Sequence, residues 1–474
     1  RNEGEDARLY DAVKAVSAFA ISLGINVPTG KDSLSMKQKY THGEVIAPGT
    51  VVISAAGHCD HISKVVEPVF QLGYGEIYYI NLSQDDYHLG GSSFAQMRHS
   101  IGAVAPTITD DAFFKRAFDA IQNMIKADLI IAGHDISAGG MMTCLLECCF
   151  PSMDIGATIN LNAVDEEDMI KLLFAENAGI IFQARDASVE DILKEKQIEC
   201  IKLGQVTDSG TLQLCHQQEM SFDIAEMRDQ WYKTSYHLDS YQTANGLAKT
   251  RFENYHQQAL AFKFPPQFTG ALPQIDLSKP RPKAAVIREK GSNSERELAH
   301  ALFIAGFDVK DVHMTDLISG RETLEDIRFL GAVGGFSNSD VLGSAKGWAG
   351  AFKYNEKANL ALNRFFSRDD VLSIGICNGC QLFIELDLIN PDHEKKSKML
   401  HNDSHKHESA FTSVDIKANQ SIMLSSLAGA NLGVWISHGE GKFYLPETAE
   451  KYNVVAHYSY DAYPANPNGS DLNA

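Results

Sequence analysis

Two cysteines three residues apart, Cys377 and Cys380, lie in the stretch VLSIGICNGCQLF. An apolar strand pattern leads into Gly375, Cys377 and Gly379, and a helical pattern begins near Gln381. A sharp strand-to-helix turn needs small residues on both sides, and it exposes the middle side chain at the carboxyl edge of a sheet. The N-terminus of the following helix would stabilise negative charge and offer N–H groups to an oxyanion. The sequence therefore predicts a nucleophile at Cys377, with Cys380 one turn into the helix.

Three other interpretations of this pair remain open. A redox C-x-x-C pair usually has Gly-Pro or Pro-His between its cysteines, whereas this one has Asn-Gly. Half of a zinc site would need a second such pair or two histidines, and the chain has no other C-x-x-C. Both cysteines could also be buried core residues. All eight cysteines are expected to be reduced thiols, because a chain of this size needs no disulfide framework.

A glycine pair, Gly334 and Gly335, ends the strand pattern of GAVGGFSNSD. In open α/β sheets the site lies at the carboxyl edge of the strands, and glycine lets a backbone approach an oxyanion closely. The pair is therefore a second candidate element of the Cys377 site. A glycine pair after a strand is also often only a turn.

The elements that position these residues divide the chain into three regions. Helix and strand patterns alternate over residues 1–215, including a strand predicted at TVVISAAG, residues 50–57. Residues 216–280 are predicted to form a helical and extended, proline-rich linker. From residue 281 to 474, apolar strands alternate with helices, which is typical of a parallel sheet covered on both faces.

Composition limits the classes of function. The chain has 474 residues, enough for two to four domains, and a net charge of −19, which argues against a general role on nucleic acid or a membrane surface. No apolar run approaches the roughly 18 residues of a membrane span. The chain begins without methionine or signal peptide and is expected to be a fragment of a cytoplasmic protein.

Two polar positions in the first region are candidates for phosphate and metal binding. Asp135 follows the strand pattern DLIIAG, and a carboxylate in a glycine loop at the end of a strand suits Mg²⁺ that bridges phosphate oxygens. It could equally form an Asx-turn or cap the next helix. Lys31, in GKDS, is a compact charge of the kind that contacts phosphate, or a solvated loop lysine.

Several stretches together resemble the formylglycinamidine ribonucleotide synthase family of purine-biosynthesis enzymes. GICNGCQ, GGFSNSDVLGSAKGWA and SHGEGKFY resemble its class I glutamine amidotransferase domain, and YPANPNGS resembles its C-terminal stretch. GEDARLYDAVKAVS, PTGKDSLSMK and HDISAGG resemble its second synthase half. The resemblance covers essentially the whole chain, and the motifs occur in the order of the family.

The resemblance implies a multidomain α/β and α+β fold. A synthase half like aminoimidazole ribonucleotide synthetase would precede a flavodoxin-like amidotransferase domain that is truncated at its C-terminus. The implied reaction converts formylglycinamide ribonucleotide to the amidine, with ATP and with ammonia from glutamine. The missing N-terminal synthase half would be the partner, and neither nucleic acid nor a membrane would be one.

The resemblance also assigns the site residues. Cys377 would be catalytic, and the oxyanion and glutamine would be bound by residues on both sides of it: Gly334, Gly335, Phe336, Asn378 and Gln381. Asp135 would bind Mg²⁺. An auxiliary ATP or ADP site would include Ser137, Lys31, Asp32 and Ser33.

The base that serves Cys377 is the least certain part of this site. From the residues alone, His438 and Glu440 are a candidate pair, but the family's catalytic His-Pro-Glu follows NPNGS and is expected beyond Ala474. His438 and Glu440 are therefore predicted as neighbours of the site, and this chain alone is expected to have little turnover. Two alternatives remain: the glutaminase part of another glutamine-dependent synthetase, or a non-catalytic nucleotide-binding relic.

Overall fold

The structure is a computed structural model that describes residues 3–33, 36–257, 260, 262–276 and 278–474. These residues separate into two compact units, one up to Trp231 and one from Tyr232 onwards. The division falls inside a helix within the predicted linker. The proposed boundaries at 1–215, 216–280 and 281–474 stay a prediction.

The first unit contains six helices and nine strands among the described residues, and a seventh helix crosses the division. The helices are α1 (Glu5–Leu23), α2 (Ser93–Met97), α3 (Asp111–Lys126), α4 (Gly140–Cys149), α5 (Met169–Phe174), α6 (Ser188–Glu195) and α7 (Ile224–Asp239). The strands are β1 (Lys37–Tyr40), β2 (Gly43–Ile46), β3 (Ile77–Asn81), β4 (Ile130–Ile136), β5 (Gly156–Asn160), β6 (Gly179–Ala184), β7 (Ile201–Thr207), β8 (Thr211–His216) and β9 (Gln218–Asp223).

A seven-stranded mixed sheet with the order β4-β6-β3-β7-β5-β8-β9 forms the centre of the first unit. Only β5 and β8 pair in parallel; the other neighbours are antiparallel. Successive side chains of β3 point to opposite faces, so Tyr79 packs with α4 and Tyr78 with α3. Both faces are covered, which explains why β3 is apolar throughout rather than alternating.

The strand predicted at residues 50–57 is wrong. The chain is irregular there, and Val51, Val52 and Ile53 are exposed. The nearest strands, β1 and β2, pair only with each other. A strand is stable only where its backbone N–H and C=O groups find a partner, and the apolar pattern cannot supply one.

The second unit contains the remaining described helices and strands. The helices are α8 (Leu247–Asn254), α9 (Glu295–Ile304), α10 (Met314–Ser319), α11 (Lys346–Lys353), α12 (Glu356–Phe366) and α13 (Asn378–Glu385). The strands are β10 (Lys283–Arg288), β11 (Ser292–Asn293), β12 (Asp308–His313), β13 (Phe329–Ala332), β14 (Gly334–Gly335), β15 (Leu372–Gly375), β16 (Lys398–Leu400), β17 (Glu408–Ile416), β18 (Asn431–His438), β19 (Lys442–Tyr444) and β20 (Ala456–Tyr458).

A four-stranded parallel sheet with the order β12-β10-β13-β15 forms the core of the second unit. Its apolar strands pack against α9, α11, α12 and α13, with Trp348 and Phe352 of α11 fully buried. The parallel sheet predicted from residue 281 onwards is therefore confirmed. Antiparallel strands β18-β17-β20 and the pair β16-β19 complete the unit.

Helix α8, inside the predicted linker, is bound to the second unit by buried charges. Arg251 contacts Asp239 and Glu408 at 3.1 and 3.2 Å, and Tyr463 donates to Glu408 at 3.0 Å. Burial opposes ionisation of Asp239, but bonds from Lys406, Thr243 and Arg251 outweigh it and lower the pKa of this carboxyl. This stretch of the linker is thus part of the folded unit.

No helix among the described residues is both long enough and apolar enough to cross a membrane.

Candidate functional site

The turn between β15 and α13 is possible only because of its glycines. A Cβ on Gly375 would lie 2.6 Å from the carbonyl oxygen of Gly379, and a Cβ on Gly379 would lie 2.2 Å from that of Ala332. Between them, the backbone of Cys377 has φ 52° and ψ −109°, a conformation that residues with a side chain rarely adopt. The turn pushes Cys377 into an exposed position, where the predicted elbow places it.

The second cysteine of the pair has a different environment. Cys380 is half-buried in α13, and both cysteines are free thiols. Burial, and to a smaller extent the neighbouring Cys377, raises the pKa of Cys380 to about 11. No group of three or more metal-ligating side chains occurs in the part of the chain that the structure describes. The pair is therefore neither a disulfide nor part of a zinc cage in this structure.

The glycine pair of β14 passes directly beside the thiol. A Cβ on Gly334 would lie 3.3 Å from Cys377 Cβ and 3.9 Å from its Sγ. Gly335 has φ 99° and pairs with Ser292 of β11, where a Cβ would lie 2.7 Å from Asn293 N. Strands β13 and β15 are parallel neighbours, so the glycine pair and the cysteine turn leave the sheet at one edge.

Phe336 follows the glycine pair and is 57% exposed. Its N–H group donates to the carbonyl oxygen of Gly291 at 3.0 Å. The backbone N–H of Phe336 is thus used to join its loop to Gly291, and the exposed ring is the part of Phe336 that can contact a ligand.

Two buried side-chain amides connect the loops around Cys377. Asn378 accepts a hydrogen bond from the N–H of Ser337 at 3.3 Å and donates to Gln381 Oε1 at 2.9 Å. Gln381 donates in turn to the carbonyl oxygen of Glu440 at 2.9 Å. Asn378 and Gln381 thus brace the loop after β14, the start of α13 and the loop after β18. Their role in binding glutamine stays a prediction.

The side chain of Glu440 is bound within this set of loops. It accepts a hydrogen bond from Ser344 N at 2.7 Å and another from the Ser344 hydroxyl. His401 Nε2 lies 3.4 Å from its other oxygen. The predicted neighbour of the site is therefore a carboxylate that faces the loop between β14 and α11.

His438 lies at the end of β18 and is held by Asn402. Its Nδ1 is 3.2 Å from Asn402 Oδ1, which also accepts from Gly441 N at 3.1 Å. Burial lowers the pKa of His438. Among the residues that the structure describes, no hydrogen bond joins His438 to the sulfur of Cys377. The prediction that His438 is a neighbour of the site stays a prediction.

In the first unit, Asp135 lies at the end of β4 with its side chain 73% exposed. Its carboxylate is 3.4 Å from Nδ1 of His134, whose Nε2 is 3.1 Å from Glu147 of α4. The other carboxylate oxygen of Glu147 accepts from Trp231 Nε1 at 3.0 Å. The imidazole therefore connects an open carboxylate to the body of the unit.

The glycine loop after β4 is anchored through a carboxylate. Glu176 accepts hydrogen bonds from the N–H groups of Gly139 and Ser93, both at 2.8 Å. Gly140 has φ 71°, and a Cβ there would lie 2.5 Å from the carbonyl oxygen of Leu173. The backbone of this loop is fixed, while Ser137 within it is exposed.

The remaining candidates, Lys31, Asp32 and Ser33, lie in an exposed irregular segment. The ammonium group of Lys31 donates to the carbonyl oxygen of Asp32 at 2.9 Å and to the hydroxyl of Ser33. No hydrogen bond or ion pair within the described ranges joins this segment to Asp135 or Ser137. That these residues form one nucleotide site with Ser137 stays a prediction.

Sequence analysis missed the residues that hold these candidates in place. Asn402, Ser344 and Glu176 are polar residues in loops, and each bonds backbone or side-chain groups from a distant part of the chain. Their partners are 39, 96 and 37 residues away in sequence. A single sequence carries no signal for such pairs.

Comparisons with known proteins match three regions of the chain to three family models. Residues 281–474 match the CobB/CobQ-like glutamine amidotransferase domain, residues 79–216 the AIR synthase related protein C-terminal domain, and residues 1–58 the FGAR-AT PurM_N-like domain. A probable phosphoribosylformylglycinamidine synthase, chloroplastic/mitochondrial, of Arabidopsis thaliana is 36% identical over 99% of this chain and 35% of its own length. The human phosphoribosylformylglycinamidine synthase is 34% identical over 98% of this chain and 38% of its own.

Two solved structures are also similar to parts of the chain. PurLQS from Thermotoga maritima has 26% identity and a TM-score of 0.32 over 41% of this chain and 79% of that one. PurL of the same organism, complexed with FGAR, has 15% identity and a TM-score of 0.33 over 45% of this chain and 36% of that one.

The fold and the matches define a class, in which a synthetase-related α+β part and a glutamine amidotransferase domain share one chain. Within this class, the chain is similar over nearly its whole length to proteins named phosphoribosylformylglycinamidine synthase. It spans about a third of the length of the curated relatives it matches.

Proposed function

We propose that the chain supplies ammonia from glutamine, and binds a nucleotide, within a ligase of purine biosynthesis. The ligase would use ATP to convert formylglycinamide ribonucleotide to formylglycinamidine ribonucleotide. One observation carries the proposal: Cys377 is exposed at a turn that only glycines permit, beside the glycine backbone of β14. The similarity over nearly the whole chain favours this reaction over those of other glutamine-dependent synthetases.

The glutaminase step follows from the chemistry of an exposed thiol. The Cys377 thiolate attacks the side-chain amide carbon of glutamine, and collapse of the tetrahedral intermediate expels ammonia and leaves a thioester. Water then hydrolyses the thioester to glutamate. Backbone N–H groups near Gly334 and Gly335 would stabilise the oxyanion, because Gly334 lies so close to Cys377 that an added Cβ would contact the cysteine.

A base must remove the proton from the thiol and return it to the leaving group. His438 Nδ1 lies 3.2 Å from Asn402 Oδ1, and no hydrogen bond among the described residues joins its ring to Cys377. We propose a supporting role for His438, and we propose that the base is the histidine of the family's His-Pro-Glu motif.

The end of β4 fits a metal ion that arrives with a nucleotide. Asp135 offers one open carboxylate, and Mg²⁺ is usually held by one or two carboxylates together with phosphates and waters. An ion held entirely by protein is a poorer fit, since no cluster of three metal-ligating side chains occurs among the described residues. Asp135 would hold Mg²⁺, which would neutralise phosphate charge, and Ser137, Lys31, Asp32 and Ser33 would contact ATP or ADP.

The remaining ligands and the location are part of the same proposal. Formylglycinamide ribonucleotide would bind together with a first synthase half, because this chain spans only about a third of the length of its curated relatives. We propose a cytoplasmic location, which fluorescence microscopy of the tagged full-length protein would test.

Labelling with 6-diazo-5-oxo-L-norleucine, an electrophilic glutamine analogue, tests the glutaminase proposal. We expect one label per chain, located at Cys377 by peptide mass spectrometry. Cys377→Ser should abolish the label, whereas Cys380→Ala should retain it. Modification of Cys380, or of neither cysteine, would remove the assignment of the nucleophile.

Calorimetric titration with Mg·ADP tests the nucleotide proposal independently. We expect Asp135→Asn to abolish the Mg²⁺-dependent part of the affinity. Asp154→Asn, which changes another exposed carboxylate of the same unit, should bind like the wild type. An unchanged affinity in Asp135→Asn would contradict the metal assignment.

A further inference from the structure

One buried asparagine organises the turn that joins β18 to β19. Asn402 is completely buried, and its backbone N–H donates to the carbonyl oxygen of Gly439 at 2.9 Å. Its side-chain Nδ2 donates to the carbonyl oxygens of Lys406 at 3.0 Å and His438 at 2.7 Å. Its Oδ1 accepts from the N–H of Gly441 at 3.1 Å. Asn402 thus determines the course of the turn by binding its backbone at three residues.

The same turn is bonded to the helix that follows Cys377. The carbonyl oxygen of Glu440 accepts a hydrogen bond from Gln381 of α13 at 2.9 Å, and Gln381 Oε1 accepts one from Asn378 at 2.9 Å. A continuous series of bonds therefore leads from Asn402 through the turn to the residue after the thiol. A shift of the turn would be transmitted to the start of α13.

The hydrogen bonds of Asn402 determine which of its two terminal atoms is the oxygen. The N–H of Gly441 can only donate, so the atom that it faces is Oδ1. The carbonyl oxygens of Lys406 and His438 can only accept, so the atom that they face is Nδ2. The partners of an amide decide between its two orientations, and here all of them require the same one.

This orientation determines where the ring of His438 carries its hydrogen. Nδ1 of His438 lies 3.2 Å from Asn402 Oδ1, and an amide oxygen cannot donate, so Nδ1 must. Burial, with a smaller contribution from His407, lowers the pKa of His438 against the opposing effect of Glu408, so the neutral ring is favoured. A neutral imidazole has one N–H, which leaves Nε2 with a free lone pair. No hydrogen bond from the described residues reaches Nε2.

The imidazole lies directly on the backbone of the turn because residue 441 is glycine. A Cβ on Gly441 would lie 2.3 Å from His438 Nδ1 and 2.4 Å from its Cε1. These distances are too short for any side chain at this position, so the close packing of the ring depends on Gly441. The edge of the ring that carries Nδ1 faces the turn and Asn402, and Nε2 is the nitrogen that a ligand can reach.

We propose that Asn402 is a positioning residue of the glutaminase site, which fixes the turn against α13 and holds His438 as the Nδ1–H tautomer. In this tautomer Nε2 accepts a hydrogen bond and cannot donate one, so it would bind the N–H of an amide or of ammonia and not a carboxylate oxygen. The inference rests on the proposed glutaminase function and gives the supporting role of His438 a chemical form.

Heteronuclear NMR of isotopically labelled histidine rings tests the tautomer, because protonated and unprotonated ring nitrogens differ widely in chemical shift. The spectrum of His438→Gln identifies the signals of His438. We expect a protonated Nδ1 and an unprotonated Nε2 in the wild type. Asn402→Ala should shift the ring towards the Nε2–H tautomer, which imidazole prefers in water. Asn402→Asp keeps an acceptor in place, so Nδ1–H should persist, and the new carboxylate should raise the pKa of His438.

The rate at which 6-diazo-5-oxo-L-norleucine labels Cys377 tests the positioning role. Asn402→Ala removes four side-chain hydrogen bonds, and labelling should slow by tenfold or more, about the factor that one such bond can represent. Asn402→Asp loses only the two bonds to carbonyl oxygens and should label at an intermediate rate. Asn363→Ala, which removes an exposed amide bonded to Asn359, should label like the wild type. Iodoacetamide should label Cys377 of all variants within about twofold, because the thiol itself stays exposed.

Several results would overturn the inference. An Nε2–H tautomer of His438 in the wild type would contradict the assignment of the ring. Labelling of Asn402→Ala by the glutamine analogue at the wild-type rate would contradict the positioning role and leave the glutaminase proposal intact. If urea unfolding showed that Asn402→Ala does not fold, wild-type labelling of Asn402→Asp would have the same meaning.

Two further results separate this inference from the proposal on which it rests. Slower labelling of the Asn402 variants by iodoacetamide as well would show general damage to the turn at Cys377 and contradict a positioning role. If the glutamine analogue failed to label Cys377 of the wild type while iodoacetamide labelled it, the glutaminase proposal would fail, and the positioning role with it. The NMR spectra would still decide the tautomer of His438.

Discussion

The turn at Cys377 and the end of β4 are both glycine loops after a strand, yet they differ in what is fixed. At Cys377 both the backbone and the surrounding side chains are held in position. Asn378 and Gln381 are buried, and their hydrogen bonds reach Ser337 on one side and Glu440 on the other. At the end of β4 the backbone is determined by Gly140 and Glu176, but Asp135 and Ser137 remain exposed. The residues around Cys377 are therefore fixed without a ligand, whereas the carboxylate of Asp135 stays open to solvent.

The two loops differ because a nucleophile and a phosphate-binding carboxylate have different structural requirements. A nucleophile must be placed within a fraction of an ångström, and close backbone contacts accomplish this without a ligand. A phosphate and its metal ion bring their own charge and ligands, so a partly open carboxylate suffices. Substitutions should therefore have their largest effects on the first site and smaller ones on the second, in the order that follows.

Gly379→Ala should have the largest effect. The new Cβ would lie 2.2 Å from the carbonyl oxygen of Ala332, so β13 or α13 has to move. Such overpacking costs about 3 kcal/mol, and alanine returns only about 1 kcal/mol through helix propensity. Urea unfolding should show a net loss of about 2 kcal/mol or more, and labelling of Cys377 by the glutamine analogue should fall.

The matched control for this change is Gly350→Ala in α11 of the same unit. A Cβ there would meet the nearest ring atom, in Tyr354, at 3.8 Å, which is an ordinary contact. Stability should rise slightly or stay unchanged. Equal effects of the two substitutions would mean that the turn at Cys377 is no tighter than an ordinary helix surface.

Cys380 should react about two orders of magnitude more slowly than an ordinary thiol. Burial raises the pKa of Cys380 to about 11 from the ordinary value of 9.0, so at a pH near 8 its thiolate fraction is about 100-fold below that of an ordinary thiol. Carboxamidomethylation at pH 8, followed by peptide mass spectrometry, should modify Cys377 and leave Cys380 nearly unmodified. Labelling of Cys380 should increase about tenfold for each pH unit up to its pKa. Comparable labelling of both thiols at pH 8 would contradict the environment described for Cys380.

Sequence patterns predicted the parts of the molecule that depend on local sterics. Gly375, Cys377 and Gly379 indicated the turn, and apolar strands alternating with helices indicated the parallel sheet, because each pattern is contained within a few residues. The strand expected at residues 50–57 failed because strand formation depends on a partner that local sequence does not reveal. The same limit applies to Asn402 and Ser344, which act across long separations, and to the position of His438.

The predicted cluster of Lys31, Asp32, Ser33, Asp135 and Ser137 shows a further limit. Resemblance assigned Asp135 to Mg²⁺ and the other four to a nucleotide, whereas in the structure Lys31 bonds its own neighbours and Asp135 lies 3.4 Å from His134. A ligand is the natural bridge between such groups. The motifs can therefore identify the residues without determining their relative positions.

Glu176→Ala should have an intermediate effect, because it removes the anchor of the glycine loop after β4. Two N–H groups, of Gly139 and Ser93, would lose an ionised acceptor. Hydrogen bonds to charged groups contribute roughly 1.5–3 kcal/mol, but solvent can replace most of this at a half-buried site, so we expect a loss of about 1 kcal/mol in urea unfolding. Glu219→Ala on β9, which removes an exposed carboxylate of the same unit, should change stability by less than about 0.5 kcal/mol. A loss no larger than that of the control would show that the loop is held by its glycines alone.

Asp135→Asn should have the smallest effect on stability. Its side chain is 73% exposed and its contact with His134 is long, so the free energy of unfolding should change by less than about 0.5 kcal/mol. The same substitution is expected to remove the Mg²⁺-dependent affinity for ADP. A carboxylate that matters for binding but not for folding is the expected property of a site that its ligand completes. If Asp135→Asn instead destabilised the free protein as strongly as Glu176→Ala, the side chain would belong to the scaffold, and the contrast between the two glycine loops would disappear.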